Sequence, residues 1–348
     1  MRILVVNAGS TSLKLSVVDE DEQTEEVDRL ADVPPGSVDA VAHRVVHGGL
    51  RFRAPVVVDR DVLAGISELR SLAPLHNAPA LAGIGAATQA FPELPHVAVF
   101  DTAFHATMPA HAATYAIPRV WHDEWGIRRF GFHGLSVEWS AERAAALLGR
   151  RARLVVCHLG GGSSVTAVAD GRSLDTTMGF SPLEGIPMTT RSGSVDPGAL
   201  LYILRERRLS VDELDHVLNE ESGIKGLSGR LSLREVDEAA DAGVADAELA
   251  LDVFVHRLAG AVAAMAAAAG GLDAVVFTAG IGENSVLVRE RASERLGFLG
   301  LELDAERNGA AAPDCDVASE TSPVRVLVVR AREDLVAARA ARGVLARR

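Results

Sequence analysis

The chain has 348 residues, a formal net charge of −12 and 48% hydrophobic residues, which suffices for a large core and favours two domains over one. The acidic balance argues against a general nucleic-acid-binding protein, because such a protein needs a basic face to neutralise phosphates. Two cysteines, Cys157 and Cys315, are too few for a disulfide framework or a cysteine-rich zinc site.

The basic charge comes almost entirely from arginine, since Lys14 and Lys225 are the two lysines among 35 basic residues. The sequence contains no Gly-Lys dipeptide, so it lacks the Gly-x-x-x-x-Gly-Lys-Ser/Thr phosphate-binding loop. Positive charge at an anionic site must therefore come mainly from guanidinium groups.

Two segments, residues 4–19 and 154–170, predict β-hairpins of the same design. Each has an apolar run, a loop of glycine, serine and other small residues, and a second run with alternation. Backbone N–H groups in such loops can approach an anion closely. A third glycine-rich turn, residues 279–285, follows a predicted strand at 274–278. Together the three turns predict a nucleotide held between two related lobes.

Two further predicted strands, 97–100 and 324–329, end near the acids Asp101 and Glu333. Ligands of open α/β sheets gather at the carboxyl ends of strands, so both acids are candidate site residues. Helices are predicted at 141–148, 196–205, 211–218, 247–269 and 334–345.

The Ala/Gly-rich run at 258–272 is shorter than the ~20 residues needed to span a bilayer, so we expect a buried helix. The apolar run at 3–6 is too short for a secretory signal. We therefore expect a soluble, cytoplasmic protein that does not associate with membranes.

Four residues are candidates for chemistry on their local sequence. Arg44 and Arg191 lie beside glycines, and two guanidinium groups can grip a carboxylate or phosphate; the alternative is two ordinary ion pairs. Asp101 is a possible metal ligand or orienting carboxylate, or else a helix N-cap. His133 can donate to a developing phosphoryl charge, or it is a structural histidine.

The motifs that contain these residues resemble the acetate kinase family from residue 3 to about residue 340. The matching motifs are Asn7-Ala-Gly-Ser-Thr-Ser-Leu-Lys14, His43-Arg-Val-Val-His-Gly-Gly49, Phe100-Asp-Thr-Ala-Phe-His105, Arg129-Phe-Gly-Phe-His-Gly134, His158-Leu-Gly, Asp175-Thr-Thr-Met-Gly-Phe-Ser-Pro-Leu-Glu-Gly185, Thr190-Arg-Ser-Gly193 and Phe277-Thr-Ala-Gly-Ile-Gly-Glu-Asn284.

The resemblance implies an α/β fold of two duplicated ribonuclease H-like lobes, of the sugar kinase, Hsp70 and actin type, with the active site in the cleft between them. The first lobe would comprise residues 1–103 and a C-terminal helix at about 334–348, and the second residues 104–333. A homodimer is implied as well.

The implied activity is reversible phosphoryl transfer between ATP and acetate, giving ADP and acetyl phosphate, with magnesium or manganese. By this resemblance the catalytic residues are Arg44, Asp101, His133 and Arg191, and the acetate pocket is formed by Arg44, Val46, Leu75, Phe132 and Pro182. Nucleotide-binding residues would be Asn7, Ser10, Ser12, Lys14, His158, Gly160, Gly161, Gly162, Arg234, Gly280, Ile281, Gly282 and Asn284, with His76 near the site. Asn7 and Glu333 would place the metal ion.

The chain departs from the family pattern at four places. The segment between residues 19 and 43 is short, Gly161 replaces an asparagine of the phosphate loop, and Ser232 or a gap stands at an acidic position before Arg234. Arg330-Ala-Arg332 replaces the Pro-Thr-Asn that precedes the metal-placing glutamate, so two arginines could repel the metal or pair with phosphates.

Two other functions stay open. A kinase for propionate or another short-chain carboxylate differs by methylenes, and each is worth only about 1–3 kcal/mol in an apolar pocket. The departures at Gly161, Ser232 and Arg332 also allow a catalytically weak nucleotide-binding regulator on the same fold.

Overall fold

A computed structural model describes the backbone of residues 1–8, 13–72 and 74–347, and the side chains of residues 71–76 lie outside the description. The strands are β1 (Ile3–Ala8), β2 (Leu13–Val18), β3 (Thr24–Val27), β4 (Ala40–Val45), β5 (Val56–Val57), β6 (His96–Phe100), β7 (Leu154–Leu159), β8 (Ser163–Ala169), β9 (Arg172–Thr176), β10 (Ala274–Thr278), β11 (Cys315–Asp316) and β12 (Arg325–Val328).

The helices follow in the same chain order. They are α1 (Arg60–Glu68), α2 (Pro74–Ala90), α3 (Ala110–Ala113), α4 (Arg119–Asp123), α5 (Gly134–Leu148), α6 (Pro197–Tyr202), α7 (Val211–Glu220), α8 (Gly223–Ser228), α9 (Leu233–Asp241), α10 (Ala245–Ala268), α11 (Ala279–Asn284), α12 (Val286–Arg295), α13 (Ala305–Gly309) and α14 (Glu333–Leu345).

The chain forms two compact units. The first comprises Met1–Thr107, Thr114–Trp139 and Arg332–Arg348, and the second comprises Met108–Ala113 and Ser140–Ala331. The segment Thr114–Trp139, which carries His133, thus belongs to the first unit. The lobe boundaries expected at residues 103 and 333 stay a prediction.

The sheet of the first unit has the order β3-β2-β1-β4-β6-β5 among the described residues. β1, β2 and β3 are antiparallel neighbours, and β1, β4 and β6 run parallel. Helices cover both faces: Ile3 and Val5 of β1 pack in one cluster with Leu335 of α14, while Leu4 packs in another with Ala87 of α2. This is the period-2 alternation of a strand buried on both sides.

The sheet of the second unit, within the described part of the chain, repeats this plan. Its order is β9-β8-β7-β10-β12-β11, with β7, β8 and β9 antiparallel, β7, β10 and β12 parallel, and β11 an antiparallel edge strand like β5. The repeated topology confirms the predicted α/β class with two related, ribonuclease H-like lobes.

The long helix α10 is the core helix of the second unit. By length and composition alone it could cross a membrane, but Leu251, Phe254 and Leu258 are fully buried in the cluster that covers β7 and β10. Half of its most apolar 18-residue window is buried, so the prediction of a buried helix is confirmed for the face that packs on the sheet.

The predicted hairpins are β1–β2 and β7–β8, which pair antiparallel as expected; the loop at residues 9–12 lies outside the described residues. The third glycine turn differs from its prediction, because residues 279–284 form the short helix α11. Ala279 has a φ of 65°, which turns the chain directly after β10, and the Asn284 side chain then donates to the Gly280 carbonyl at 2.8 Å.

Candidate active site

Polar residues collect at the carboxyl ends of the three parallel strands of the first sheet. Asn7 lies opposite Arg44 in the register of β1 and β4. Asp101 directly follows β6, and its backbone N–H donates to the Val45 carbonyl at 3.0 Å. Neighbouring parallel strands end at the same edge, so the sheet itself brings these side chains together.

Arg44 grips the buried Asp101 carboxylate with two hydrogen bonds, from Nε at 2.9 Å and from a terminal nitrogen at 2.6 Å. Its other terminal nitrogen donates to Asn7 Oδ1 at 3.0 Å. The contact between Arg44 and Asp101 includes the ion pair that we considered as the alternative. It differs from an ordinary surface ion pair because the Asp101 side chain has 0% exposure. Asp101 is therefore a buried, ion-paired carboxylate.

Glu333 joins this group from the first residue of α14. Asn7 Nδ2 donates to Glu333 Oε2 at 3.2 Å, and an Arg44 nitrogen lies 3.4 Å from the same oxygen. The Arg44 guanidinium therefore contacts two carboxylates and one amide, which come from three other segments of the first unit.

Burial raises the pKa of Asp101, and Arg44 opposes this shift. Burial alone would lower the pKa of Arg44, but the charges of Asp101 and Glu333 outweigh it and raise that pKa. Arg44 therefore keeps its positive charge at every pH at which the fold persists.

His133 is fixed beside Asp101 by backbone contacts. Its N–H donates to the Asp101 carboxylate, and the N–H of Gly134 donates to the Asp101 carbonyl at 3.1 Å. His133 has a φ of 59°, and a Cβ on Gly134 would lie 2.0 Å from the Asp101 carbonyl oxygen. Only glycine fits at position 134, which holds His133 at the start of α5.

Two predicted pocket residues, Val46 and Phe132, are buried in the first unit. The Phe132 ring lies edge-on to His47 with centroids 5.4 Å apart. Lys14 lies opposite Asn7 in the β1–β2 register and is exposed. Ser10, Ser12 and the side chains of Leu75 and His76 lie outside the described residues.

In the second unit Arg191 and Pro182 are in contact. An Arg191 terminal nitrogen donates to the Pro182 carbonyl at 3.1 Å. Burial lowers the pKa of Arg191, and the charge of Glu220 opposes this shift. The arginine that we predicted to bind an anion therefore contacts Pro182, one of the residues predicted to line the apolar pocket.

The predicted phosphate loop lies against α11. His158 is a buried residue of β7, and the Gly160 N–H donates to the Gly162 carbonyl at 3.0 Å. A Cβ on Gly160 would lie 3.7 Å from the Ala279 Cβ, and one on Gly282 would lie 3.2 Å from the Phe277 carbonyl carbon. Glycines thus let α11, which contains Gly280 and Ile281, pack closely on the strand ends. A Cβ on Gly161 would meet no atom within 4 Å.

Arg234 is an exposed residue of α9, paired with Glu238 one turn along at 2.9 Å. Its predicted contact with the nucleotide base stays a prediction.

Sequence reasoning missed three buried or half-buried supports of these residues. Asn77 and His47 exchange two hydrogen bonds of 3.1 Å between side chain and backbone, and His105 Nε2 lies 2.8 Å from the Phe132 carbonyl oxygen. Glu283 accepts from the Ala331 N–H at 2.9 Å. His105 and Glu283 lie within matched motifs, which was the available signal, whereas Asn77 lies outside the matched motifs and directly follows His76.

The donor set suits magnesium. Asn7 and Glu333 offer amide and carboxylate oxygens, and Mg²⁺ typically takes one or two carboxylates and fills its remaining positions with water and substrate phosphates. Among the described residues no group of three or more His, Cys, Asp and Glu side chains forms a metal cage.

Comparison with known proteins identifies the family. A family described as "Acetokinase family" matches residues 34–339. The chain belongs to the acetokinase family.

Relatives from two cyanobacteria support this membership. An acetate kinase of Nostoc punctiforme is 49% identical over 318 residues, which are 90% of this chain and 77% of the relative. An acetate kinase of Gloeobacter violaceus is 50% identical over 310 residues, 88% of this chain and 76% of the relative.

Two solved structures share the fold over almost the full length. A propionate kinase from Francisella tularensis has a TM-score of 0.92 at 36% identity and covers 97% of this chain and 98% of its own. The Porphyromonas gingivalis acetate kinase has a TM-score of 0.88 at 32% identity and covers 99% of both chains.

Proposed function

We propose that this member of the acetokinase family is an acetate kinase that transfers the γ-phosphoryl group of ATP to acetate and catalyses the reverse reaction. The observation that carries the proposal is the hydrogen-bonded set of Asn7, Arg44, Asp101 and Glu333 in the first unit, in which Asp101 is buried and the other three are half-buried. Hydroxylamine trapping of acetyl phosphate tests it: purified protein with ATP, Mg²⁺ and acetate should give acetohydroxamate, and a reaction without acetate should not.

The chemistry needs positioning and charge neutralisation more than a base. Acetate is ionised at neutral pH, so its oxygen can attack the γ-phosphorus in line without losing a proton. Arg44 and Arg191 would hold the carboxylate and the transferring group, and His133 would donate to the developing phosphoryl charge. Asp101 would orient Arg44 through the two hydrogen bonds that join them.

The nucleotide is proposed to bind on the second unit. Backbone N–H groups of the turn at Gly160, Gly161 and Gly162 would face its phosphates. The adenosine would lie against α11, with Arg234 stacked on the base. Magnesium, held by Asn7 and Glu333, would neutralise phosphate charge when bound.

Propionate is the second candidate substrate, because the Francisella tularensis structure of TM-score 0.92 is a propionate kinase. Val46, Phe132 and Pro182, together with Leu75, would form the pocket for the alkyl group. Steady-state kcat/KM values for acetate, propionate and butyrate decide between them: we expect acetate to be highest, and a propionate optimum overturns the assignment.

A catalytically weak regulator is the third candidate. The completeness of the Arg44–Asp101 arrangement supports an enzyme instead. Calorimetric binding of ADP by a protein that forms no acetohydroxamate would favour the regulator.

We also propose a cytoplasmic homodimer without nucleic-acid or membrane partners. Size-exclusion chromatography with light scattering should give twice the mass of one chain, and a monomer mass at micromolar concentration would contradict this proposal.

A further inference from the structure

The chain leaves the second unit at Ala331 and enters the first unit at Arg332. This crossover segment, residues 330–332, carries the Arg330-Ala-Arg332 departure from the family pattern and lies directly before Glu333. Two successive backbone N–H groups of the segment donate to carboxylates of the second unit. The Arg330 N–H donates to Asp314 Oδ1 at 2.9 Å, and the Ala331 N–H donates to Glu283 Oε1 at 2.9 Å.

The backbone of Glu283 is also fixed by a hydrogen bond. It lies in α11, between Gly282 and Asn284, and its carbonyl accepts a 2.9 Å hydrogen bond from Arg289. The same guanidinium also binds the Gly282 carbonyl at 3.0 Å and Asn308 Oδ1 at 2.7 Å, and Arg289 is 1% exposed. The Glu283 carboxylate is therefore a fixed acceptor that joins α11 to the crossover segment.

Asp314 is a second fixed acceptor, because Arg143 Nε donates to its other oxygen at 2.5 Å. The bond to the Arg330 N–H depends on this chain's departure from the family pattern, since a proline at position 330 would have no N–H. The departure therefore adds an attachment.

Arg332 is attached on the side of the first unit. Its guanidinium donates to Thr24 Oγ1 at 2.8 Å and to Asp334 Oδ1 at 3.2 Å. Among the described contacts, this guanidinium binds residues of its own unit. One residue, Arg332, separates the peptide held by Glu283 from Glu333.

We propose that Glu283 is a positioning residue: it fixes the backbone of Ala331, two residues before Glu333 in the chain, against the helix α11. The expected effect on kinetics rests on the proposed function, whereas the attachment of the Ala331 backbone to Glu283 does not. Without the Glu283 carboxylate, the Arg330–Ala331 peptide loses its hydrogen bond, and the position of Glu333 two residues further on is less well fixed. Because Glu333 is the proposed magnesium-placing residue, the loss affects the KM for Mg·ATP more than the KM for acetate.

Limited trypsin digestion tests the attachment without any measurement of activity. Trypsin cuts after Arg330, an exposed residue, and the Arg330–Ala331 peptide cannot enter the protease while its N–H is held by Glu283. Glu283→Ala should raise the rate of this cleavage about tenfold, the change expected for loss of a hydrogen bond to a charged acceptor. Mass spectrometry of the fragments 1–330 and 331–348 measures it.

Glu283→Gln keeps an oxygen acceptor at the same place but loses its charge, so it should be cut at a rate between those of wild type and Glu283→Ala. Two variants are the controls. Glu294→Ala changes an exposed position of α12. Arg143→Ala removes the ion pair of Asp314 but leaves both backbone hydrogen bonds. Cleavage of Glu283→Ala at the wild-type rate overturns the attachment, and so does equally fast cleavage of the Gln variant.

Steady-state kinetics test the positioning. Glu283→Ala should raise the KM for Mg·ATP and lower kcat with little change in the KM for acetate. Glu283→Gln should give values of KM for Mg·ATP and kcat between those of wild type and Glu283→Ala. Faster cleavage with unchanged kinetics overturns the positioning role. A wild-type protein without acetyl phosphate formation contradicts the proposed function alone, because the digestion result stands separately.

Discussion

The histidine pair His43 and His96 shows how a single buried residue links stability to pH. His96 Nε2 lies 3.0 Å from the Phe91 carbonyl oxygen, so it carries the proton, and His96 Nδ1 accepts from His43 Nε2 at 2.9 Å. His43 Nδ1 is then the acceptor atom of that ring, and it is buried without a hydrogen-bond partner. Burial, with the charge of His96, lowers the pKa of His43 to about 3.

This shift predicts acid destabilisation. The unfolded chain binds a proton at position 43 below about pH 6.5 and the folded chain does so only near pH 3, so the free energy of unfolding falls as pH falls through that window. His43 alone should contribute a loss of about 2 kcal/mol at pH 5. Urea unfolding at pH 7 and pH 5 should show a smaller pH effect in His43→Leu than in wild type. His111→Gln, at an exposed position, should keep the wild-type difference; an unchanged difference in His43→Leu contradicts the assignment.

A second residue-scale prediction concerns the geometry of Arg44. Lysine at this position keeps the charge but cannot make the two parallel hydrogen bonds to Asp101 together with the bond to Asn7. Arg44→Lys should lower kcat about 100-fold or more in the hydroxamate assay. Arg150→Lys, at an arginine 60% exposed and paired with Asp273, is the matched control. Turnover of Arg44→Lys within twofold of the control would show that charge alone suffices.

At the scale of elements, the start of α8 fixes the loop that carries Arg191. The N–H groups of Ser222, Ile224 and Lys225 donate to the carbonyls of Thr190, Met188 and Thr189 at 2.9 Å each. Gly223 lies between them with a φ of 61°, and a Cβ there would lie 2.1 Å from the Met188 carbonyl oxygen. The loop and the helix start therefore pack backbone against backbone.

Gly223→Ala should displace this loop and lower kcat about 10-fold or more, since small misplacements of a charged group are costly in catalysis. Gly229→Ala is a close control: its φ is 71°, so alanine is strained there as well, but a Cβ would meet nothing within 4 Å. Circular dichroism checks that both variants are folded. Equal losses in the two variants would assign the effect to backbone strain and contradict the packing argument.

The sequence alone predicted the elements that depend on a local pattern of apolar, small and polar residues. The hairpins β1–β2 and β7–β8 follow from apolar runs around small-residue loops, and the meeting of Asn7, Arg44 and Asp101 follows from polar residues at strand ends. The roles of Asn77 and Glu283 could not be predicted, because each binds a backbone group 30 or 48 residues away in sequence. Such contacts depend on tertiary approach and leave no periodic signal.

At the scale of the whole molecule, each unit has its own apolar core. Leu258 is fully buried in the core of the second unit, whereas Leu249 of the same helix is 55% exposed. Leu258→Ala should destabilise the second unit by about 2–5 kcal/mol, and Leu249→Ala should stay within about 0.5 kcal/mol of wild type. Hydrogen exchange monitored by mass spectrometry should show faster exchange in β7 and β10 of Leu258→Ala with little change in β1 and β4. Equal acceleration in both sheets would mean that the two cores unfold as one.

The repeated sheet topology gives each residue of one half a counterpart in the other. Asn7 pairs with Arg44 across β1 and β4, and the equivalent pair across β7 and β10 is His158 with Thr278. The two units thus share one topology but differ in charge. The first unit bears the desolvation cost of the buried ion pair, whereas the second unit has no charge like that of Arg44 at the equivalent position. The same strand topology therefore supports different side-chain chemistry at equivalent positions of the two units.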